Sequence, residues 1–125
     1  MAVTEPPPMA ERILLIDDDP NATGGLKRLL EKQGYEVQEE NDSTKALDTA
    51  RAFQPRTVIL DYLMPQVHGG DVAWQLASDP VLRSTKVIIC SAACRSEIHL
   101  KLPPSRIPIL EKPVDTETLL QLLKS

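Results

Sequence analysis

Short apolar runs alternate with helical stripes along the 125-residue chain. Ile13-Leu14-Leu15-Ile16 runs into Asp17-Asp18-Asp19, and Val58-Ile59-Leu60 runs into Asp61, with Met64-Pro65 close behind. Runs of Ile, Val and Leu this short read as strands buried on both faces, as in a parallel sheet covered by helices. They predict strands over 12–17 and 56–61, a loosely alternating strand over 35–39, and further strands over 86–90 and 107–110. Between them, apolar residues three and four apart predict helices. Asp19-Pro20 supplies an N-cap and a proline at the first helical position, Leu26, Leu29 and Leu30 form a stripe, and Gly34 ends the helix after Gln33. Gly24-Gly25 within it costs on the order of 1 kcal/mol per glycine against alanine, which marks either close packing or a weak helix.

Asn41-Asp42-Ser43 caps a second helix with Ala46, Leu47, Ala50 and Phe53 on one face. Gly69-Gly70 precedes a third with Val72, Ala73, Leu76 and Ala77 inward, ended by Asp79-Pro80, and Asp115 caps a last one with Leu119, Leu120, Leu122 and Leu123 on its buried side. Residues 95–106 must hold the remaining helix, yet Pro103-Pro104 and the small set Ile98, Leu100 and Leu102 allow it two or three turns at most. The expected fold class is α/β, a five-stranded parallel sheet sandwiched by helices with a short or irregular fourth helix.

Residues 1–10, with Pro6-Pro7-Pro8, read as a flexible tail, leaving 11–125 as one domain, large enough to bury a core without disulfides or structural metal. A net charge of −4 with Lys and Arg scattered argues against direct contact with nucleic acid. The longest apolar stretches are strand-length, which predicts neither a membrane span nor a signal peptide, and a cytoplasmic protein. Cys90 and Cys94 have no partners at zinc-site spacing and read as reduced thiols rather than a redox pair.

The chemistry gathers at the strand ends. Asp17 and Asp18 follow the first strand, Asp61 the third, Ser91-Ala92 the fourth and Lys112-Pro113 the fifth, all on the edge where open α/β sheets bind ligands. Right-handed crossovers are expected to place the first strand centrally, with the third and fourth beside it, so these side chains converge. Like charges at short range raise one another's pKa, so the three acids need a proton or a cation, and a hard divalent ion is the natural solution. Asp19 is read as a helix cap only, and His68 as an exposed loop residue outside the site.

Over residues 12–124 this combination resembles the receiver domains of bacterial two-component response regulators. The matching parts are Leu15-Ile16-Asp17-Asp18, Leu60-Asp61-Tyr62-Leu63-Met64-Pro65 with Gly69 beyond, Ser91-Ala92 and Lys112-Pro113. The resemblance implies a flavodoxin-like (βα)5 fold acting as a stand-alone signalling module rather than a turnover enzyme. It implies that Asp61 accepts a phosphoryl group from a histidine kinase or histidine phosphotransfer protein, and that the state is read by a downstream effector protein, with a homodimer as a further option. Asp18, Asp61 and the Leu63 carbonyl would hold Mg²⁺, Asp17 acting through a bound water, while Ser91 and Lys112 meet the phosphoryl oxygens. Ser91 would be the switch, and Lys112-Pro113 would carry a cis peptide.

The chain also departs from that family. Ile109 stands where many receivers have an aromatic switch residue, which puts the usual coupling between hydroxyl and ring in doubt. Leu63 and Ala93 cannot hydrogen-bond an attacking water, which predicts slow autodephosphorylation. Two other functions fit less of the pattern. One is a receiver-like interaction module that works without phosphate, favoured by Ile109 and opposed by the intact acids. The other is a small Mg-dependent phosphatase with Asp61 as nucleophile, opposed by the lack of room for a substrate-binding cap.

Overall fold

The computed structural model describes residues 11–92, 102–103 and 107–124. Five strands form one parallel sheet: β1 (Arg12–Ile16), β2 (Glu36–Glu40), β3 (Thr57–Asp61), β4 (Lys86–Ser91) and β5 (Ile109–Glu111), in the spatial order β2-β1-β3-β4-β5. The helices among the described residues are α1 (Pro20–Lys32), α2 (Ala46–Phe53), α3 (Gly69–Ser78) and α4 (Thr116–Lys124), with a 3₁₀ turn over Ser43–Lys45 leading into α2. The tail, Ala93, Cys94 and most of the segment expected to hold the irregular helix lie outside the described residues.

Alternation along the strands divides the core in two. Leu14, Ile16, Val58 and Leu60 pack on one face with Ala46 and Ala50 of α2 and Val72, Ala73 and Leu76 of α3. Ile13, Leu15, Ile59, Ile88 and Cys90 pack on the other with Leu30 of α1 and Leu119 and Leu123 of α4. Each fully buried Leu or Ile stabilises the fold by roughly 1.5–3 kcal/mol, so the continuous runs of β1 and β3 anchor both layers at once. The caps fall where the sequence places them. Asp19 Oδ1 accepts from the Asn21 amide at 3.0 Å, Asp42 Oδ1 from Thr44 at 2.9 Å and Asp115 Oδ2 from Thr118 at 3.3 Å.

Several boundaries and placements differ from expectation. β4 lies beside β3 and not beside β1, so β3 is the middle strand and β1 sits between β2 and β3. β5 spans 109–111 and not 107–110, because Pro108 has no N–H for the ladder; its carbonyl still accepts from the Ile89 amide at 2.9 Å. β4 runs one residue further, to Ser91, which pairs with Glu111. β1 stops at Ile16, one residue short of the acid. Ala77 is exposed rather than inward: the α3 stripe centres on Val72, Ala73 and Leu76, and Ala77 stands beside it at a groove bordered by Leu82, Thr85 and Val87. At Gly24 and Gly25 an added Cβ meets nothing within 4 Å, so they weaken α1 without serving close packing. No helix among the described residues is long and apolar enough to cross a membrane.

Candidate functional site

The C-terminal edge of the sheet carries the expected acids. Asp61 is the last residue of β3, opposite Cys90 of β4 in the ladder, and is buried at 7% exposure. Asp17 follows β1, and its amide donates to the Glu40 carbonyl at 3.2 Å, which holds the strand exit against β2. Asp18 is exposed beside it. Carboxylate oxygens of Asp17, Asp18 and Asp61 all lie within 4.8 Å of one another, three hard donors converging on one point.

Lys112, just after β5, closes the cluster. Its Nζ lies 3.1 Å from Asp17 Oδ2 and 3.1 Å from Asp61 Oδ1, and the Lys112-Pro113 peptide is cis, as expected. Burial works against the Lys112 charge, but its hydrogen bonds to Asp17 and Asp61 outweigh that and raise its pKa. The same ammonium does not rescue Asp61. Burial, followed by the field of Asp17, pushes the Asp61 carboxyl above its ordinary value of 3.8 despite the Lys112 hydrogen bond. One ammonium shared by two carboxylates leaves the cluster short of positive charge.

A cleft of about 370 Å³ opens beside these groups, lined by Asp17, Asp61, Lys112 and Pro113 and by apolar residues such as Leu26 and Val114. Cys90 also borders it as a free, buried thiol, pushed up to about 12 chiefly by burial, so it is held neutral. Its expected neighbour Cys94 lies outside the described residues. Ser91 occupies the end of β4, fully buried, and is not among the residues lining the cleft; its carbonyl accepts from the Lys112 amide at 2.9 Å. Ile109 is buried at 3% exposure, whereas Leu63 is 51% exposed. His68 is exposed, as expected, and precedes α3 without capping it through its side chain.

Gly69 has a structural duty here. A Cβ at that position would stand 2.4 Å from the Asp61 carbonyl oxygen and 2.6 Å from the Tyr62 Cα, and the Gly69 amide donates to the Tyr62 carbonyl at 2.8 Å. Only glycine lets the start of α3 press against the end of β3. In the sequence Asn41 and Ser43 read as capping residues and nothing more. Both bond to the site loops, and the available signal was three consecutive polar residues where one suffices as a cap.

Known proteins resemble this chain in sequence and in fold. PilH of Pseudomonas aeruginosa is 32% identical over 91% of this chain and 95% of its own length. Other curated relatives are longer, and the chain spans 30% of some and 48% of another. Among solved structures, the chemotaxis protein CheY4 of Vibrio cholerae superposes with a TM-score of 0.84 at 23% identity, over 92% of this chain and 97% of that one. The receiver domain of the sensor histidine kinase PA1611 of Pseudomonas aeruginosa, with magnesium coordinated in its active site cleft, superposes with a TM-score of 0.81 at 20% identity, over 92% and 95%. Residues 13–124 match the family model described as the response regulator receiver domain, and the chain belongs to that family of signalling domains.

Proposed function

We propose that this receiver domain accepts a phosphoryl group on Asp61 in a Mg²⁺-dependent reaction and signals through other proteins. The observation that carries the reading is the convergence of Asp17, Asp18 and Asp61 within 4.8 Å, with Lys112 3.1 Å from two of them. Three oxygen donors with an excess of negative charge suit a small hard cation, which Asp18, Asp61 and the Leu63 carbonyl would hold, with Asp17 acting through water. When bound, Mg²⁺ supplies neutralisation of the phosphoryl oxygens.

Asp61 has the role of nucleophile. Its carboxylate oxygen forms the new bond to phosphorus while the bond from phosphorus to the histidine nitrogen of the donor breaks, and that imidazole takes up a proton. Transfer of this kind depends on positioning and charge stabilisation more than on covalent chemistry by the protein. Lys112 holds the acceptor carboxylate in place beforehand and neutralises the transferred group afterwards, with the Ser91 hydroxyl as second partner. The donor is a histidine kinase or histidine phosphotransfer protein and the reader an effector protein in the cytoplasm, with dimerisation as one route to output. A phosphate-independent interaction module is the second reading. Ile109 in the aromatic position and the full burial of Ser91 favour it.

Incubation with acetyl phosphate separates the two. The mass of the intact protein is expected to rise by one phosphoryl group with Mg²⁺ present and to stay unchanged with a chelator. No rise under conditions where Mg²⁺ binding is demonstrated independently favours the interaction module.

A further inference from the structure

Two side chains of the turn between β2 and α2 reach out of it, into the loops that follow β1 and β3. Asn41 Nδ2 donates to the Asp17 backbone carbonyl at 2.7 Å and to the Thr23 hydroxyl at 3.0 Å. Thr23, buried at 3% exposure, lies 3.3 Å from the Pro20 carbonyl and 3.5 Å from the Glu39 carboxylate, so its single proton goes to one of them while its lone pairs receive Asn41. The first acid is thereby tied through its own main chain to the end of β2 and to α1.

Ser43 treats the other loop in the same way. Its hydroxyl donates to the Pro65 carbonyl at 2.9 Å and accepts from the Val67 amide at 3.3 Å. Those two groups also meet each other at 2.8 Å, closing a three-residue turn around Gln66, whose φ is +70°. A non-glycine residue at the centre of such a turn is unfavourable, and the turn persists only where its surroundings hold it. Ser43, itself 5% exposed, is one such hold, and it grips both ends of the turn four residues past the acceptor.

We propose that Asn41 and Ser43 are positioning residues for the acidic site: one turn braces the Asp17 loop and the loop after Asp61 against each other, fixing the separation of the carboxylates that a cation must bridge. Neither bond uses a carboxylate of the cluster, so each residue acts through the main chain of the loop it holds. The inference rests on the acceptor reading above. Thr44 provides the control within the same turn, because it is exposed and, among the described residues, its hydroxyl bonds only to Asp42 within that turn, at 2.6 Å.

The test measures Mg²⁺ affinity by calorimetry and the rate of phosphorylation by acetyl phosphate at saturating Mg²⁺, on the full chain and well below its melting temperature. Outer-shell groups that orient metal ligands typically change affinity or activity by about 10-fold or more when removed. Asn41→Ala is therefore expected to weaken Mg²⁺ binding about tenfold. Ser43→Ala is expected to slow phosphorylation about tenfold at saturating Mg²⁺, with Ser43→Thr recovering most of the rate because it keeps the hydroxyl. Thr44→Ala leaves both quantities at the wild-type level. If Asn41→Ala does not fold, Asn41→Ser, too short to reach the Asp17 carbonyl, takes its place. Wild-type affinity and rate in both the Asn41 and Ser43 variants, beside an active parent, overturn the brace. A parent that neither binds Mg²⁺ nor reacts overturns the acceptor reading instead.

Discussion

Burial and the neighbouring Asp17 both resist the ionisation of Asp61, and the Lys112 ammonium 3.1 Å away offsets them only in part. With its folded-state pKa above the ordinary 3.8, the charged form is penalised in the folded protein. That penalty is full above the folded pKa and disappears as pH falls below the unfolded value. Asp61→Asn removes it, while Lys112 keeps its bond to Asp17 at 3.1 Å. In chelator at pH 7 the variant is therefore expected to be more stable than the parent, a case of a functional group that trades stability for activity. The gap closes as pH falls through the acid range, where the parent carboxyl takes up its proton, and saturating Mg²⁺ reverses the order because the ion favours the parent. Thermal unfolding across pH, with and without Mg²⁺, measures all three. A variant no more stable than the parent at pH 7 in chelator shows that Asp61 bears no such penalty.

Among elements, the junction of β3 and α3 is the most constrained part of the site. The strand delivers Asp61 and the helix begins at Gly69, and the two backbones approach so closely that a methyl group would stand 2.4 Å from the Asp61 carbonyl oxygen. Overpacking of well-packed positions costs typically 1–3 kcal/mol, and here the neighbours are main-chain atoms that cannot rotate away. Gly69→Ala is expected to destabilise the domain by about 2 kcal/mol and to slow phosphorylation of Asp61, because the strand end must move to admit the methyl group. Denaturant midpoints and the acetyl phosphate rate check this. Unchanged values for both mean that the junction is loose and does not set the acceptor's position. The same junction explains why Asp61 is not a helix cap: α3 starts eight residues later, behind Pro65, Gln66 at positive φ and the Gly69 contact.

Across the whole molecule, the parts of the fold fixed by burial on both faces were legible. β1 and β3 have unbroken apolar runs because each is covered by helices on both sides, and the acids that end them fall on one edge because all five strands are parallel. Parallel order also brought Lys112 to Asp61 and Asp17 across large sequence distances. What was not legible depended on partners remote in sequence. Asn41 and Ser43 look like ordinary capping residues; three polar residues where one cap suffices hint at a further duty, but nothing in local spacing names their partners Asp17 and Pro65, 24 and 22 residues away. Full burial of Ser91 was likewise hidden, since a serine after an apolar run reads the same whether it faces a cleft or the interior. The apolar run predicts β5 from residue 107, but Pro108 has no N–H for the ladder and the strand starts at Ile109.

The acceptor reading requires that the phosphoryl group reside on Asp61. An aspartyl phosphate is an acyl phosphate, and borohydride reduces it to homoserine, so the acceptor can be located by peptide mass after treatment of the protein with acetyl phosphate and Mg²⁺. The account predicts homoserine at position 61, present with Mg²⁺ and absent with chelator. Homoserine at another aspartate, or none at position 61 in protein that has gained phosphate, contradicts it.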